Sequence, residues 1–262
     1  MVQDLGRVVS NSEVKRGYFL MDIRSPSIAR QAKPGQFLTV RCGDVTSPLL
    51  RRPFGFHRIN DSGFQVLYEV VGKGTRLLSE LKPGNKVDVL GPLGNGFTVP
   101  GKTKDVIIVA GGIGVAPLVA LAEKIVNSPQ SIVHRKPLVL LGARTRNDIL
   151  CVREFRKLEC EIKVSTDDGS QGFKGGVTDL LEDLLSSIDY RLSTIYACGP
   201  EAMLKEIAAI ARKRKSEAYA SLEGNIACGV GACLGCAIET RSGYKLVCED
   251  GPVFNLNEVV WR

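Results

Sequence analysis

The chain has 262 residues, of which 44% are hydrophobic and 24% are charged, a balance that excludes an intrinsically disordered protein. Its formal net charge is +7, but the basic residues are scattered and no nucleic-acid-binding module accompanies them, so the charge does not indicate a nucleic-acid partner. The chain has no apolar run of about 18 residues, and its first residues lack the apolar core of a signal peptide, so we expect a cytoplasmic protein.

The first region, residues 1–101, has the pattern of short strands separated by turns. Residues 36–40 and 64–68 are rich in β-branched and aromatic side chains, and Pro34-Gly35 and Pro83-Gly84 are typical turn sequences. Strands at this spacing predict a small antiparallel β-barrel.

The second region, residues 102–215, alternates between buried strands and helices. Residues 106–110, 138–141 and 194–197 are continuous apolar runs, as expected of strands covered on both faces. Helices are predicted over 118–126 and 202–214. This alternation predicts an α/β domain with a parallel sheet.

The third region, residues 216–262, holds four of the eight cysteines, and their spacing indicates an iron–sulfur site. Cys228-x4-Cys233-x2-Cys236 matches the plant-type [2Fe–2S] ferredoxin spacing, and Cys248 supplies the fourth thiolate. A hairpin predicted over 237–247 would return Cys248 to the loop. A structural zinc site is the alternative, although zinc sites more often combine two short Cys-x2–4-Cys pairs.

Two glycine-containing turns of the second region predict a dinucleotide site. Each follows a buried strand and opens a helix, where backbone N–H groups and the helix N-terminus favour a pyrophosphate. The carboxyl ends of parallel strands are also where α/β sheets bind ligands. The predicted contacts are Gly111, Gly112, Gly114, Cys198, Gly199 and Pro200.

Two motifs of the first region complete the pattern. Arg52 in Arg52-Pro53-Phe54-Gly55 is suited to pair with a phosphate through two hydrogen bonds. Gly74 and Thr75 are suited to present an N–H and a hydroxyl group to a pyrophosphate. Taken alone, an arginine before proline is more often a surface residue.

In this order the motifs resemble those of the ferredoxin-NADP reductase superfamily. The series continues with Gly-Pro-Leu-Gly-Asn-Gly-Phe at 91–97 and with Glu-Asp-Gly-Pro-Val-Phe at 249–254. With the cysteine segment, the chain resembles over nearly its whole length the electron-transfer subunits of NAD-dependent dihydroorotate dehydrogenases.

The resemblance implies a barrel that binds FAD, an α/β domain that binds NAD and C-terminal cysteines that hold [2Fe–2S]. It also implies a partner, the FMN-containing catalytic subunit that oxidises dihydroorotate to orotate, in a heterotetramer with two copies of each subunit. No side chain of this chain is then needed as a catalytic acid or base, and His57 and His134 are interpreted as structural. By motif position, the FAD contacts are Arg52, Pro53, Phe54, Gly55, Leu67, Tyr68, Glu69, Gly74 and Thr75.

Two residues depart from the family pattern. Gly55 stands where the family usually has a hydroxyl residue that hydrogen-bonds the flavin, and Glu69 stands where arginine is common. Both departures put individual FAD contacts in question without changing the overall interpretation.

Two alternative functions remain open from the sequence. One is the small subunit of an NAD(P)H-dependent ferredoxin or sulfide oxidoreductase of the same superfamily, in which Arg144 and Arg146 would bind the 2′-phosphate of NADP. The other is a non-enzymatic iron–sulfur or zinc-binding module, which the paired nucleotide motifs argue against.

Overall fold

A computed structural model of the chain describes residues 1–43, 47–99, 105–127, 136–186 and 193–261. The predicted boundary between residues 101 and 102 and the predicted structural role of His134 both lie outside these ranges. Among the described residues, none of the helices has the length and apolar character needed to cross a membrane.

The first region forms a seven-stranded antiparallel sheet. Its strands are β1 (Val2–Lys15), β2 (Tyr18–Arg24), β3 (Phe37–Val40), β4 (Arg52–Gly55), β5 (Arg58–Asn60), β6 (Gly63–Glu69) and β7 (Lys86–Leu93), with the short helices α1 (Pro26–Ala29) and α2 (Lys73–Ser79). The strand order is β4-β3-β7-β1-β2-β6-β5.

The sheet curls around one apolar core, as predicted for a barrel. Phe54 on edge strand β4 reaches Tyr68 on β6, with ring centroids 5.6 Å apart. Phe56 and Phe64 make an edge-to-face contact at 5.1 Å inside the same core. Burial of these side chains provides the main driving force for folding of this region.

The second region alternates strands and helices, as the sequence predicts. Its elements are β8 (Val106–Gly111), a 3-10 turn (Gly112–Val115), α3 (Ala116–Asn127), β9 (Leu138–Ala143), a second 3-10 turn (Arg146–Asp148), α4 (Val152–Lys157), β10 (Glu161–Thr166), β11 (Phe173–Lys174), α5 (Val177–Ser186), β12 (Thr194–Cys198) and α6 (Glu201–Arg214). The third region contributes β13 (Glu217–Ser221), β14 (Ala237–Thr240), β15 (Gly243–Leu246) and β16 (Val253–Asn255), of which β13 and β16 join the second sheet.

The second sheet has the order β11-β10-β9-β8-β12-β13-β16, and all registered pairs from β11 to β13 are parallel. From β8 the chain runs outward through β9 and β10, and then returns to place β12 on the other side of β8. The direction of winding therefore changes between β8 and β12. Such a switch point is where open α/β sheets bind their ligands.

Contacts divide the chain into two compact units. The first comprises Met1–Gly96, Glu223–Ile238 and Gly243–Val253, and the second comprises Phe97–Leu222, Glu239–Ser242 and Phe254–Arg262. All four clustered cysteines therefore belong to the same compact unit as the antiparallel sheet.

Candidate functional site

The cysteine loop takes its shape from backbone conformations that few residues adopt. Gly229 and Gly231 have φ angles of 76° and 77°, and Leu234 has 58°. Glycine occupies this left-handed region without the steric cost that a Cβ adds, so the loop turns sharply between its first two cysteines. Leu234 adopts the same conformation with its side chain 65% exposed.

The four thiols form two pairs. The side chains of Cys228 and Cys233 interact electrostatically, as do those of Cys236 and Cys248, and Cys228 also acts on Cys248. The backbone N–H of Cys248 also donates to Cys236 Sγ at 3.4 Å. The hairpin of β14 and β15 thus returns Cys248 to the loop, as the sequence predicts.

Backbone N–H groups point at the Cys228 sulfur. The N–H of Val230, 3.4 Å from Cys228 Sγ, contributes most to lowering the pKa of this thiol to about 6, and burial opposes the shift. Cys228 is therefore largely a thiolate at neutral pH, the form that binds metals.

Cys248 has the opposite character because it is buried. Burial raises the pKa of its thiol to about 11, and the neighbouring Cys236 thiol acts in the same direction. The N–H of Gly231, 3.2 Å from Cys248 Sγ, opposes this rise. Binding of a cation to this sulfur would release its proton, so metal binding here is linked to pH.

Four thiols in this arrangement match the donor set of a two-iron cluster. A structural zinc site needs four ligands around one ion. In a two-iron cluster, each iron takes two of the four thiolates. The predicted assignment gives Cys228 and Cys233 to one iron and Cys236 and Cys248 to the other.

The antiparallel sheet supports the cysteine loop directly. A Cβ atom at Gly229 would lie 3.1 Å from Thr39 Cγ2 and 3.3 Å from Leu93 Cδ1, so the loop packs closely on β3 and β7. Asn95 follows β7, and its side-chain amide donates to the carbonyl oxygens of Glu249 (2.9 Å) and Asp250 (3.1 Å). Asn95 thereby fixes the segment that follows Cys248.

Replacing Asn95 with alanine should loosen this segment and shorten the lifetime of the cluster. The variant removes two hydrogen bonds to carbonyls, worth about 0.5–1.5 kcal/mol each, while leaving all four thiols in place. Iron loss to a chelator, followed by visible absorption, should be faster than in the wild type. The matched control is Asn60→Ala, which removes an amide side chain from the β5–β6 turn and should leave the iron-loss rate unchanged.

The two arginines of the first predicted FAD motif differ in their partners, because one forms an ion pair within the barrel and the other does not. Arg51 Nη2 is 2.7 Å from Asp88 Oδ2, and Arg51 Nη1 donates to the Asp88 carbonyl at 3.0 Å. Arg52 instead donates to the Leu50 carbonyl at 2.7 Å. Among the described residues, no carboxylate forms a salt bridge with Arg52. Arg52 is therefore the cation of this motif that remains available to a phosphate.

The second motif lies against the first. A Cβ atom at Gly74 would lie 3.2 Å from Arg52 Nε and 3.3 Å from Arg52 Cγ, so glycine makes room for the arginine. Thr75 is buried, and its Oγ1 accepts the N–H groups of Val71 (3.0 Å) and Gly72 (3.2 Å). The hydroxyl that the sequence suggested for a pyrophosphate thus already caps α2. Gly74 is buried beside it, so the half-buried Arg52 is the phosphate donor that these two motifs leave accessible.

The predicted contacts on β6 belong mostly to the barrel core. Tyr68 is only 2% exposed, and its hydroxyl donates to Asn11 Oδ1 at 3.1 Å. Burial raises the pKa of Tyr68. Leu67 is buried as well, whereas Glu69 is half-buried. The Tyr68 side chain thus belongs to the barrel core, and the contact of Tyr68 with FAD stays a prediction.

The remaining residues of the first motif lie on edge strand β4, which pairs with β3. Phe54 packs against the barrel core, and Pro53 and Gly55 are half-buried. Gly55 supplies no hydroxyl, so only its backbone can serve the role that the family assigns to this position.

The two predicted nucleotide turns meet at the switch point of the second sheet. A Cβ atom at Gly114 would lie 2.5 Å from the Cys198 carbonyl carbon and 2.6 Å from the Gly199 nitrogen. Likewise, a Cβ atom at Gly111 would lie 2.9 Å from Pro200 Cδ. Gly111 and Gly114 therefore allow the two turns to pack closely against each other. The sequence did not reveal this packing role.

Gly112 leaves accessible space at the carboxyl edge of the second sheet. It is exposed, has a φ of 54°, and has no atom near the position of an added Cβ. Gly199 and Pro200 are also accessible, whereas Cys198 is buried with a side chain that is 3% exposed. The accessible residues are those that a dinucleotide would reach first.

Three cysteines lie outside both the cluster segment and the two switch-point turns. They are not arranged as a functional site. Burial raises the pKa of Cys42 and that of Cys160 to about 11, so both thiols are unreactive at neutral pH. Cys151 is half-buried at the start of α4.

Two family models match the chain. Residues 223–260 match the iron–sulfur cluster binding domain of dihydroorotate dehydrogenase B. Residues 108–209 match the oxidoreductase NAD-binding domain. The two matched ranges contain the cysteine pairs and the switch point respectively.

Curated relatives match over nearly the full chain. The dihydroorotate dehydrogenase B (NAD(+)) electron transfer subunit of Desulforamulus reducens is 43% identical, with 93% of each chain covered. The subunit of the same name from Geobacillus thermodenitrificans is 38% identical and covers 97% of this chain and 96% of its own. Among solved structures, an NADH-dependent reduced ferredoxin-NADP oxidoreductase studied for flavin-based electron bifurcation superposes with a TM-score of 0.85 at 31% identity, covering 98% of this chain and 90% of its own.

Proposed function

Because this chain belongs to the family of dihydroorotate dehydrogenase B electron transfer subunits, we propose that it carries electrons from a dihydroorotate-oxidising partner to NAD+. The chain is an oxidoreductase subunit that uses an iron–sulfur cluster, NAD and FAD. When bound, the flavin exchanges electron pairs with the nicotinamide and single electrons with the cluster. The paired cysteines beside the antiparallel sheet are the observation that carries the proposal.

The four cysteines are proposed as the ligands of a [2Fe–2S] cluster, one pair to each iron. The N–H groups of Val230 and Gly231 would stabilise the negative charge on the thiolates after iron binds. We assign the region 216–262 to this cluster, 1–101 to FAD and 102–215 to NAD.

Arg52 is proposed to hold the FAD pyrophosphate, with the backbone around Gly74 beside it. Replacing Arg52 with alanine should weaken FAD binding by about 10- to 100-fold, since a charge-assisted hydrogen bond contributes roughly 1.5–3 kcal/mol. Ultrafiltration of the purified variant, followed by flavin fluorescence in the filtrate, measures this loss. Arg24→Ala, which removes an exposed arginine at the end of β2, is the matched control. Equal retention of FAD by the Arg52 variant and the wild type would contradict the assignment.

The nicotinamide dinucleotide is proposed to bind at the carboxyl ends of β8 and β12. Gly112, Gly199 and Pro200 offer the accessible backbone there, and Gly111 and Gly114 hold the two turns together. Cys198, buried beneath these turns, is proposed to position the nicotinamide rather than to react with it.

The partner is proposed to be an FMN-containing catalytic subunit, two copies of which join two copies of this chain in the cytoplasm. Eight free thiols are consistent with a reducing compartment. Cys233 and Leu234 are exposed, which supports contact of the cysteine loop with a partner.

Reconstitution with the catalytic subunit tests this function. The pair should reduce NAD+ when dihydroorotate is supplied, and neither subunit alone should do so. The resemblance to the ferredoxin-NADP oxidoreductase makes ferredoxin-linked turnover the competing outcome. Ferredoxin-dependent activity without dihydroorotate-dependent activity would overturn the proposal.

A further inference from the structure

The side chain of Glu249 lies over the cysteine loop. A Cβ atom at Gly231 would lie 2.9 Å from the carboxylate carbon of Glu249, with one carboxylate oxygen closer still. Gly231 in turn donates its N–H to Cys248 Sγ at 3.2 Å. With standard backbone bond lengths, the carboxylate carbon is therefore at most about 9 Å from a cluster sulfur.

The backbone of Glu249 is fixed at both ends of its peptide. Its N–H donates to the Leu246 carbonyl at 3.1 Å, and its carbonyl accepts the Asn95 amide at 2.9 Å. Gly231 leaves the space that the carboxylate occupies, and an added side chain there would displace it. The backbone of Glu249 is therefore held where its side chain reaches the cysteine loop.

The charge of Glu249 is not compensated by an ion pair. Among the described residues, no lysine or arginine forms a salt bridge with this carboxylate. Its field therefore acts on the nearby sulfurs, reduced by solvent because the side chain is exposed.

We propose that the carboxylate of Glu249 lowers the reduction potential of the cluster. Four thiolates give a two-iron cluster a net negative charge, and an added electron makes it more negative. A carboxylate nearby raises the free energy of the reduced form more than that of the oxidised form. The reduced cluster then passes its electron more readily to the flavin and on to NAD+.

An EPR-monitored anaerobic redox titration of the flavin-loaded chain tests the inference. Glu249→Gln should favour cluster reduction by about tenfold, a positive shift of about 59 mV for a one-electron couple. Glu249→Asp keeps the charge and should titrate much closer to the wild type. Asp61→Asn removes an exposed carboxylate from the β5–β6 turn and should leave the potential unchanged.

The outcomes separate this inference from the proposed function on which it rests. An unchanged potential in Glu249→Gln, with the cluster signal intact, overturns the inference and leaves the cysteine ligand set standing. An equal shift in Glu249→Asp also overturns it, because packing rather than charge would then be responsible. Failure of Glu249→Gln to assemble a cluster that Asp61→Asn assembles overturns it as well, since the carboxylate would then serve folding. A wild-type chain without any iron–sulfur signal would instead refute the ligand set itself.

Discussion

Replacing Cys228 with serine is expected to abolish electron transfer to the partner subunit while NADH oxidation by artificial acceptors continues. Serine lacks the soft thiolate that iron prefers, so one member of the Cys228/Cys233 pair is lost. Loss of an outer-shell group typically costs a metal site 10- to 100-fold, and we expect loss of a direct ligand to cost at least about 100-fold in partner-dependent turnover. The flavin site and the nicotinamide site keep all their residues.

Two assays on one preparation test whether the cluster and the flavin have separate roles in electron transfer. Partner-dependent turnover and the cluster EPR signal should fall together, and NADH:ferricyanide activity should stay near the wild-type value. Cys151→Ser, which changes a half-buried cysteine outside the cluster segment, should affect neither assay. If the Cys228 variant lost reduction of its flavin by NADH, the cluster and the flavin would not have the separate roles assigned to them.

Replacing Gly114 with alanine should disrupt the second compact unit. The added methyl group would lie 2.5 Å from the Cys198 carbonyl carbon and 2.6 Å from the Gly199 nitrogen, both of them backbone atoms that cannot rotate away. Overpacking of this kind costs about 1–3 kcal/mol, and occasionally more. The two turns must then separate, so we expect lower thermal stability and weaker NADH binding together.

Gly112→Asn is the matched control within the same turn. Gly112 has open space around it and a left-handed conformation that asparagine tolerates. The thermal stability of the Gly112→Asn variant should therefore stay close to that of the wild type. Its KM for NADH should rise, because the asparagine side chain occupies the space proposed for the dinucleotide. Equal stability of the Gly114 and Gly112 variants, measured by circular dichroism melting, would contradict the packing role of Gly114.

Local patterns in the sequence predict much of this molecule. The cysteine spacing indicates the cluster because all three loop ligands lie within nine residues of one another, and a hairpin needs only local turn signals to return Cys248. The apolar runs at 106–110, 138–141 and 194–197 match strands β8, β9 and β12, because strands buried on both faces need continuous apolar sequence.

Contacts between distant parts of the chain could not be predicted in the same way. Asn95 lies 154 residues before Glu249, and nothing near it in sequence signals that its amide holds the cluster segment. Thr75 looks like a phosphate ligand in its motif, but its hydroxyl satisfies N–H groups at the start of α2. Tyr68 lies in a motif that the resemblance assigns to FAD, yet its ring completes the barrel core.

The glycine motifs show why a pattern can indicate a site without giving each residue its role. Gly111, Gly112 and Gly114 all fit a dinucleotide-binding turn, but only Gly112 is exposed with open space above it. Gly111 and Gly114 are glycines because the turn after β12 approaches them too closely for a side chain. That distinction depends on the strand order, which places β12 beside β8.

An anaerobic titration of the purified chain with NADH tests the central claim most directly. The claim is that one chain connects nicotinamide, flavin and a [2Fe–2S] cluster in a single electron path. We predict that NADH bleaches the flavin absorption and that the EPR signal of a reduced two-iron cluster grows, with two irons per chain. A chain that contains zinc at the cysteines, or one whose cluster stays oxidised after the flavin is fully reduced, would contradict the account.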